Sequence, residues 1–163
     1  MAKNEYLAGI GGWLGFLIVG LMILGPLVGL GRLFGEFSDA ERQFPQLVVN
    51  TRWSNYKQAS WLILAVSVAI SFSAGYRLWK IHFSESVRFA IVALWLSGPF
   101  GNLLYLTTTV VVFGSQTMSS ALPEMLGGII GSCIAAGIWT AYLVRSVRVQ
   151  NTYKSSLSAE AAK

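Results

Sequence analysis

The side chains that most often carry catalysis are scarce in this sequence and form no recognisable group. Cys133 is the only cysteine and His82 the only histidine among 163 residues, which excludes an internal disulfide, a CxxC motif and a multi-cysteine metal site. A single histidine cannot supply paired haem ligands, and Cys133 has no basic neighbour to activate its thiol. The Ser/His, two-aspartate and zinc arrangements of intramembrane proteases are missing as well. We therefore predict a non-enzymatic protein with no catalytic, cofactor-binding or metal-binding residue.

The most polar side chain deep inside an apolar stretch is Asn102, three residues after Pro99. Proline removes a backbone donor and permits a helix kink, so the Asn102 amide has free backbone to bind. Asn102 is also suited to line a polar pathway, together with Ser67, Ser71 and the Thr107-Thr108-Thr109 run. We favour the kink-capping role, because a single amide without a charged partner gives a moving solute little selectivity.

The elements that must position these residues are membrane helices. Hydrophobic residues make up 54% of the chain and charged residues 12%, about half the soluble share of roughly 25%. A soluble domain of this size cannot bury so much apolar surface, whereas a bilayer core of about 30 Å takes about 20 helical residues per crossing. We predict an all-α bundle in one membrane domain covering residues 1–163. Its four helices are predicted at about residues 7–31, 59–79, 89–113 and 125–144, with an outer loop at 32–58 and a flexible tail at 150–163.

The basic residues predict the orientation of the bundle. If the N-terminus is inside, eight of the twelve lysines and arginines lie on the cytoplasmic side and four on the outer side. Cytoplasmic loops carry the excess of basic residues in membrane proteins, so both termini are expected in the cytoplasm.

The outer loop has a pattern of its own. The sequence Ser38-Asp39-Ala40-Glu41 has the form of a capping box, which marks a helix start, and phenylalanines recur around it at helical spacing. Pro45 should interrupt any helix there. The pattern fits a short amphipathic helix on the membrane surface, and it fits an irregular loop with some buried phenylalanines equally well.

Small residues mark the faces where membrane helices pack closely. Gly127, Gly131 and Ala135 recur every four residues in the fourth helix. Gly11 and Gly12 permit a similar approach at the start of the first helix, where Trp13 is suited to anchor the interface. Such faces serve packing inside one bundle, or contact with a second copy or another membrane protein.

Two arginines after the last helix, Arg145 and Arg148, fall on one helix face and are candidates to bind lipid phosphate. The other basic residues are scattered between apolar stretches rather than gathered on one surface. The lipid bilayer, and not nucleic acid, is therefore the expected partner.

Two short motifs resemble a known family. Gly11-Gly12-Trp13-Leu14 opens the first helix, and the motif Ser146-Val147-Arg148-Val149-Gln150-Asn151-Thr152-Tyr153 follows the last one. With four helices and a longer first outer loop, this plan resembles the YdgK-like proteins, an uncharacterised bacterial inner-membrane family. The resemblance implies a multi-pass protein of the bacterial inner membrane and no established activity, cofactor or catalytic residue.

These observations favour an accessory or interaction subunit of a membrane assembly. The alternative is a small oligomeric channel or transporter that uses neutral polar residues. The first rests on the small-residue faces and the missing catalytic groups, and the second on the polar residues around Asn102.

Overall fold

The computed structural model describes residues 9–114 and 118–153, and this part of the chain is a helical bundle. Four helices are long and apolar enough to cross a membrane. We call them the first to fourth spans: Trp13–Gln43, Thr51–Lys80, Ser84–Phe113 and Leu122–Arg145. The predicted all-α fold with four membrane helices is confirmed at this level.

Two of the spans are interrupted. The first consists of α1 (Trp13–Val19), a π-helical turn (Gly20–Leu24) and α2 (Gly25–Gln43). A 3-10 turn (Pro45–Val49) leads to α3 (Thr51–Lys80), which is the second span. The third consists of α4 (Ser84–Trp95), a π-helical turn (Leu96–Phe100) and α5 (Gly101–Phe113). The fourth lies in α6 (Met118–Arg145), and α7 (Val147–Thr152) follows it.

The helices are longer than the sequence suggested, and most of the expected outer loop is helical. The first helix continues through Arg32 to Gln43, so the Ser38–Glu41 pattern lies inside a helix instead of starting one. An S-x-x-E pattern suits a helix interior as well as a cap, and nothing before Phe44 stops the helix. The helix ends before Pro45, as expected, and Asn50 caps the next helix by accepting bonds from the amides of Arg52 and Trp53. Only residues 44–50 separate the two helices.

Parts of the predicted spans and tail fall outside the described residues. These are the start of the first span at residue 7, the residues 115–117 of the third loop, and the residues 154–163 of the tail.

The two ends of the bundle differ in construction. We call the end that carries Trp13, the 81–83 turn and α7 the terminal end, and the opposite one the far end. The terminal half is densely packed, with Leu14, Leu78 and Leu143 at most 1% exposed. Gly75 permits this packing, because a Cβ there would meet the Met22 side chain and lie 3.3 Å from the Ile18 carbonyl oxygen.

The second span is longer than a bilayer core requires. A helix of 30 residues measures about 45 Å, compared with about 30 Å for the hydrocarbon. Glu41 joins the first two spans at the far end, because its Oε1 accepts from Lys57 Nζ at 2.7 Å and from Trp53 Nε1 at 2.8 Å. Phe37, Trp53 and Tyr56 pack edge-to-face or stacked beside this contact. The extra helical turns are therefore held together as a pair.

Candidate functional site

A cavity of about 520 Å³ occupies the far half of the bundle, and all four spans line it. Its wall is apolar toward the terminal half, at Val68, Leu94 and Trp139. Its polar lining includes Arg32, Glu36, Ser67, Asn102, Tyr105 and Glu124. This combination of an apolar wall with a few polar groups is typical of small-molecule sites.

The two π-helical turns lie where the packed half gives way to the cavity. The first is followed directly by Gly25-Pro26, which opens α2, and the second contains Gly98-Pro99. Proline disrupts the regular hydrogen-bond ladder, and π-helical turns are frequent at functional sites. Pro99 lies inside the π-helical turn of the third span, and Gly98 lines the cavity beside it.

Asn102 bridges two spans. Its Nδ2 donates to the carbonyl oxygen of Gly128 in the fourth span at 3.3 Å, instead of binding the freed backbone of its own helix as the sequence argument favoured. Ser97 takes up a backbone carbonyl of that helix, donating to Ala93 at 2.7 Å. Asn102 therefore joins the third and fourth spans at the cavity wall.

Several neutral polar residues considered for a pathway share this cavity. Ser67, Ser71, Asn102 and Thr109 line it. Thr107 and Thr108 lie outside it and donate their hydroxyls to carbonyls four residues earlier in the same helix. The shared polar surface is thus formed within one chain.

A charged pair lies at the cavity. Arg32 Nε donates to Glu36 Oε1 at 2.6 Å, with both side chains partly exposed. Such an exposed pair adds little stability, so its main effect is to orient the guanidinium. Arg32 Nη1 and Asn102 Oδ1 lie 3.9 Å and 4.0 Å from the point where a Cβ of Gly128 would be. The guanidinium thus reaches across to the fourth span, where Glu124 adds a second carboxylate to the lining.

Sequence reasoning missed Arg32, Glu36 and Glu124, because it treated them as loop charges or as breaks between apolar stretches. The sequence did contain a signal for Arg32 and Glu36. The cavity is lined by positions 25, 29, 32 and 36 of the first span and by positions 98, 102, 105 and 109 of the third. Both sets step by four, three and four residues, and each begins at the glycine of a Gly-Pro pair. A shared spacing of three and four residues indicates one helix face in each span.

The two motifs at the chain ends meet at the terminal end of the bundle. The amide of Gly9 donates to Thr152 Oγ1 at 2.9 Å. Arg148 is half-buried, and its Nη1 lies 2.7 Å from the point where a Cβ of Gly11 would be. Gly12 has a φ of 58°, a value that favours glycine. Arg148 therefore packs on the first motif, whereas Arg145 is exposed.

Tyr153 fixes the chain after α7 to the second span. Its hydroxyl donates to the carbonyl oxygen of Leu78 at 2.6 Å, and its ring stacks on His82 with centroids 5.8 Å apart. Burial raises the pKa of the Tyr153 phenol to about 12, and the nearby Tyr142 adds a smaller effect in the same direction. The hydroxyl is thus held protonated as a donor.

The small residues of the fourth span form two stripes, which face in different directions. Gly127 and Gly131 are exposed, and a Cβ at either would meet no atom of the described chain within 4 Å. Gly128 binds Asn102, and Ala136 is 3% exposed. The Gly127 stripe therefore makes no close contact inside the described bundle. Ala135 is exposed and reaches the edge of the cavity, while at the other end Trp13 is 67% exposed.

No set of three or more His, Cys, Asp and Glu side chains is grouped to hold a metal ion within residues 9–114 and 118–153. The polar groups of the cavity are suited to bind an organic molecule through hydrogen bonds and ion pairs.

Four membrane-length helices around a partly polar cavity are the architecture of a multi-pass helical membrane protein. Residues 7–154 match the family described as "Protein of unknown function (DUF2569)", and the chain belongs to that family. No curated protein and no solved structure matches the chain.

Proposed function

We propose that the protein is a non-enzymatic accessory protein of the bacterial inner membrane that binds a small amphipathic molecule in its cavity. The observation that carries the proposal is the cavity of about 520 Å³, to which every span contributes. Small-molecule sites generally measure about 300–1,000 Å³ and combine apolar walls with a few polar groups. The YdgK-like resemblance of the terminal motifs supports the bacterial inner membrane.

The orientation proposed for the bundle puts the terminal end in the cytoplasm, because eight of the twelve basic residues lie on that side. The cavity is then in the outer half of the membrane. A ligand reaches it from the outer side or from the outer lipid layer.

Binding fits the structure better than conduction through an open channel. The described terminal half contains a cluster of buried residues that includes Leu14, Leu78 and Leu143, and this packing supports a binding site over an open channel. The second candidate, a small channel or transporter, is supported by the neutral polar lining at Ser67 and Asn102. It requires the packed half to open during transport.

The accessory role is supported by the exposed Gly127 and Gly131 stripe. Small residues let a second helix approach closely in a bilayer. A partner membrane protein or a second copy is therefore proposed to pack on this stripe, while the cavity responds to its ligand.

The cavity proposal is tested by filling the space. Ala135→Trp places an indole at the edge of the cavity, and Ile138→Trp places the same indole on the same helix at a position that is 63% exposed and outside the cavity. We expect native mass spectrometry of the gently purified protein to show a small bound molecule on the wild type and on the Ile138 variant, and to show its loss on the Ala135 variant. Equal occupancy of both variants would refute a ligand site in the cavity.

A further inference from the structure

The charged groups of the cavity are arranged to recognise both signs of charge. Among the described residues that line it, two are carboxylates, Glu36 and Glu124, and one is a guanidinium, Arg32. A purely anionic ligand would meet two carboxylates, and a purely cationic ligand would meet the guanidinium. A ligand that carries both charges complements the whole set.

We propose that the ligand is a zwitterion with an apolar body, whose anionic oxygens bind Arg32 and whose ammonium group binds Glu124. This inference rests on the proposed function, because it names the chemical class that the cavity takes. It is carried by the geometry of Arg32 and by the apolar wall behind it.

Glu36 orients the guanidinium and leaves its recognition edge available. The ion pair uses Arg32 Nε. The four N–H groups on Nη1 and Nη2 make no hydrogen bond to another residue of the described chain. A guanidinium edge with two parallel donors matches a carboxylate or a phosphate. Glu36 is therefore a positioning residue, and Arg32 makes the contact with the anion.

Asn102 completes the polar part of the site. Its Nδ2 donates to the carbonyl oxygen of Gly128, which leaves Oδ1 as an acceptor, and both Oδ1 and Arg32 Nη1 lie near Gly128. An ammonium group has three donors. Glu124 accepts one of them in this proposal, and Asn102 Oδ1 is placed to accept another.

The apolar body lies toward the terminal half, against Val68, Leu94 and Trp139. Two sources supply this chemistry. One is a free amino acid with a large apolar side chain, and the other is a lipid whose head group carries a phosphate and an ammonium. The shared feature is an anionic oxygen group and an ammonium group on one apolar molecule.

The test compares molecules that share an apolar body and differ in the charged groups that they carry. The free probes are L-tryptophan, tryptamine without the carboxylate, and indole-3-propionate without the ammonium group. The lipid probes are phosphatidylethanolamine, which is zwitterionic, and phosphatidylglycerol with the same acyl chains, which is anionic. Occupancy of the full-length protein is titrated by native mass spectrometry.

We expect the wild type to prefer the zwitterion of one series at least tenfold over its charge-deficient relatives. Arg32→Gln should lower zwitterion affinity tenfold or more and remove the preference over tryptamine. Glu124→Gln should lower zwitterion affinity tenfold or more and remove the preference over the anionic probe of the same series, which is indole-3-propionate or phosphatidylglycerol. The matched controls are Arg42→Gln and Glu85→Gln, which change exposed residues outside the cavity and should keep the wild-type preference. Preference for L-tryptophan identifies a free ligand, and preference for phosphatidylethanolamine identifies a lipid.

The outcomes separate this inference from the proposed function. If the probes of both series bind equally well, or if a singly charged probe binds best, the zwitterion is refuted, while loss of binding in Ala135→Trp would still support the cavity site. If no probe and no co-purified molecule occupies the wild type, both proposals fail. If Arg32→Gln and Glu124→Gln keep the wild-type preference, the assignment of the two charges is refuted.

Discussion

The hydroxyl of Tyr153 completes the terminal end of the second span, and Tyr153→Phe removes it alone. The last carbonyls of a helix lack partners in the helix itself. In α3 the Arg77 carbonyl accepts from the Ile81 amide at 2.8 Å, and the Leu78 carbonyl accepts from Tyr153 at 2.6 Å. Leu78 is fully buried, so water does not replace the lost donor. Leaving the buried Leu78 carbonyl without a hydrogen-bond donor costs about 1–3 kcal/mol.

The same substitution changes the response to alkaline pH. Burial raises the pKa of Tyr153 to about 12 from the ordinary value of 10.0. The folded chain then keeps its proton in a range where the unfolded chain loses it, so this contribution is complete below pH 10 and is lost as the pH rises to about 12. Two pKa units correspond to about 3 kcal/mol. The phenylalanine variant has no such proton to lose.

Tryptophan-fluorescence melting of the purified protein in mild detergent measures both effects. At pH 7 the variant should melt lower, by about 2–4 °C for each kcal/mol. The difference from the wild type should shrink between pH 10 and 12. The control is Tyr76→Phe, because Tyr76 lies on the same span and is 46% exposed. The role assigned to the hydroxyl would be refuted if the Tyr153→Phe variant had the same melting temperature as the wild type at pH 7 and lost as much stability as the wild type at high pH.

Three other substitutions test separate contacts by the same melting assay. Gly75→Ala forces a Cβ against the first span and should cost about 1–3 kcal/mol, whereas Gly127→Ala enters open space and should not lower the melting temperature; equal effects would contradict the packing described. Asn102→Ala removes one hydrogen bond between spans, worth about 0.6 kcal/mol, and should melt slightly lower while weakening ligand occupancy; normal occupancy would exclude it from the site. Arg148→Gln should melt lower than Arg145→Gln, and identical melting would favour lipid phosphate as the partner of both arginines.

The four spans were predictable because charge is costly in a bilayer. Each of the four membrane-length helices contains a long stretch without charged residues. The extension of the first helix was not predicted, because charged residues beyond the apolar stretch look the same in a loop and in a helix that leaves the membrane. The Arg32–Glu36 spacing of four residues was the clue, since it suits a helix.

The cavity could not be predicted from the sequence, because it depends on which face of each helix turns inward. Gly127 and Gly128 begin two stripes one residue apart, and both have the spacing of a packing face. The structure turns Gly128 toward Asn102 and leaves Gly127 exposed. A choice between such stripes requires the positions of the neighbouring helices, and periodicity alone does not supply these.

The contact between the two end motifs has a consequence for biosynthesis. Gly9 and Thr152 are 143 residues apart in the chain, and a ribosome adds about 5–20 residues per second. The first span is therefore made several seconds before the segment that packs on it. Until Arg148 and Tyr153 emerge, the glycines at positions 11 and 12 and the Leu78 carbonyl lack these partners. A nascent chain that stalls after the fourth span would thus have all its membrane helices and an unfinished terminal end.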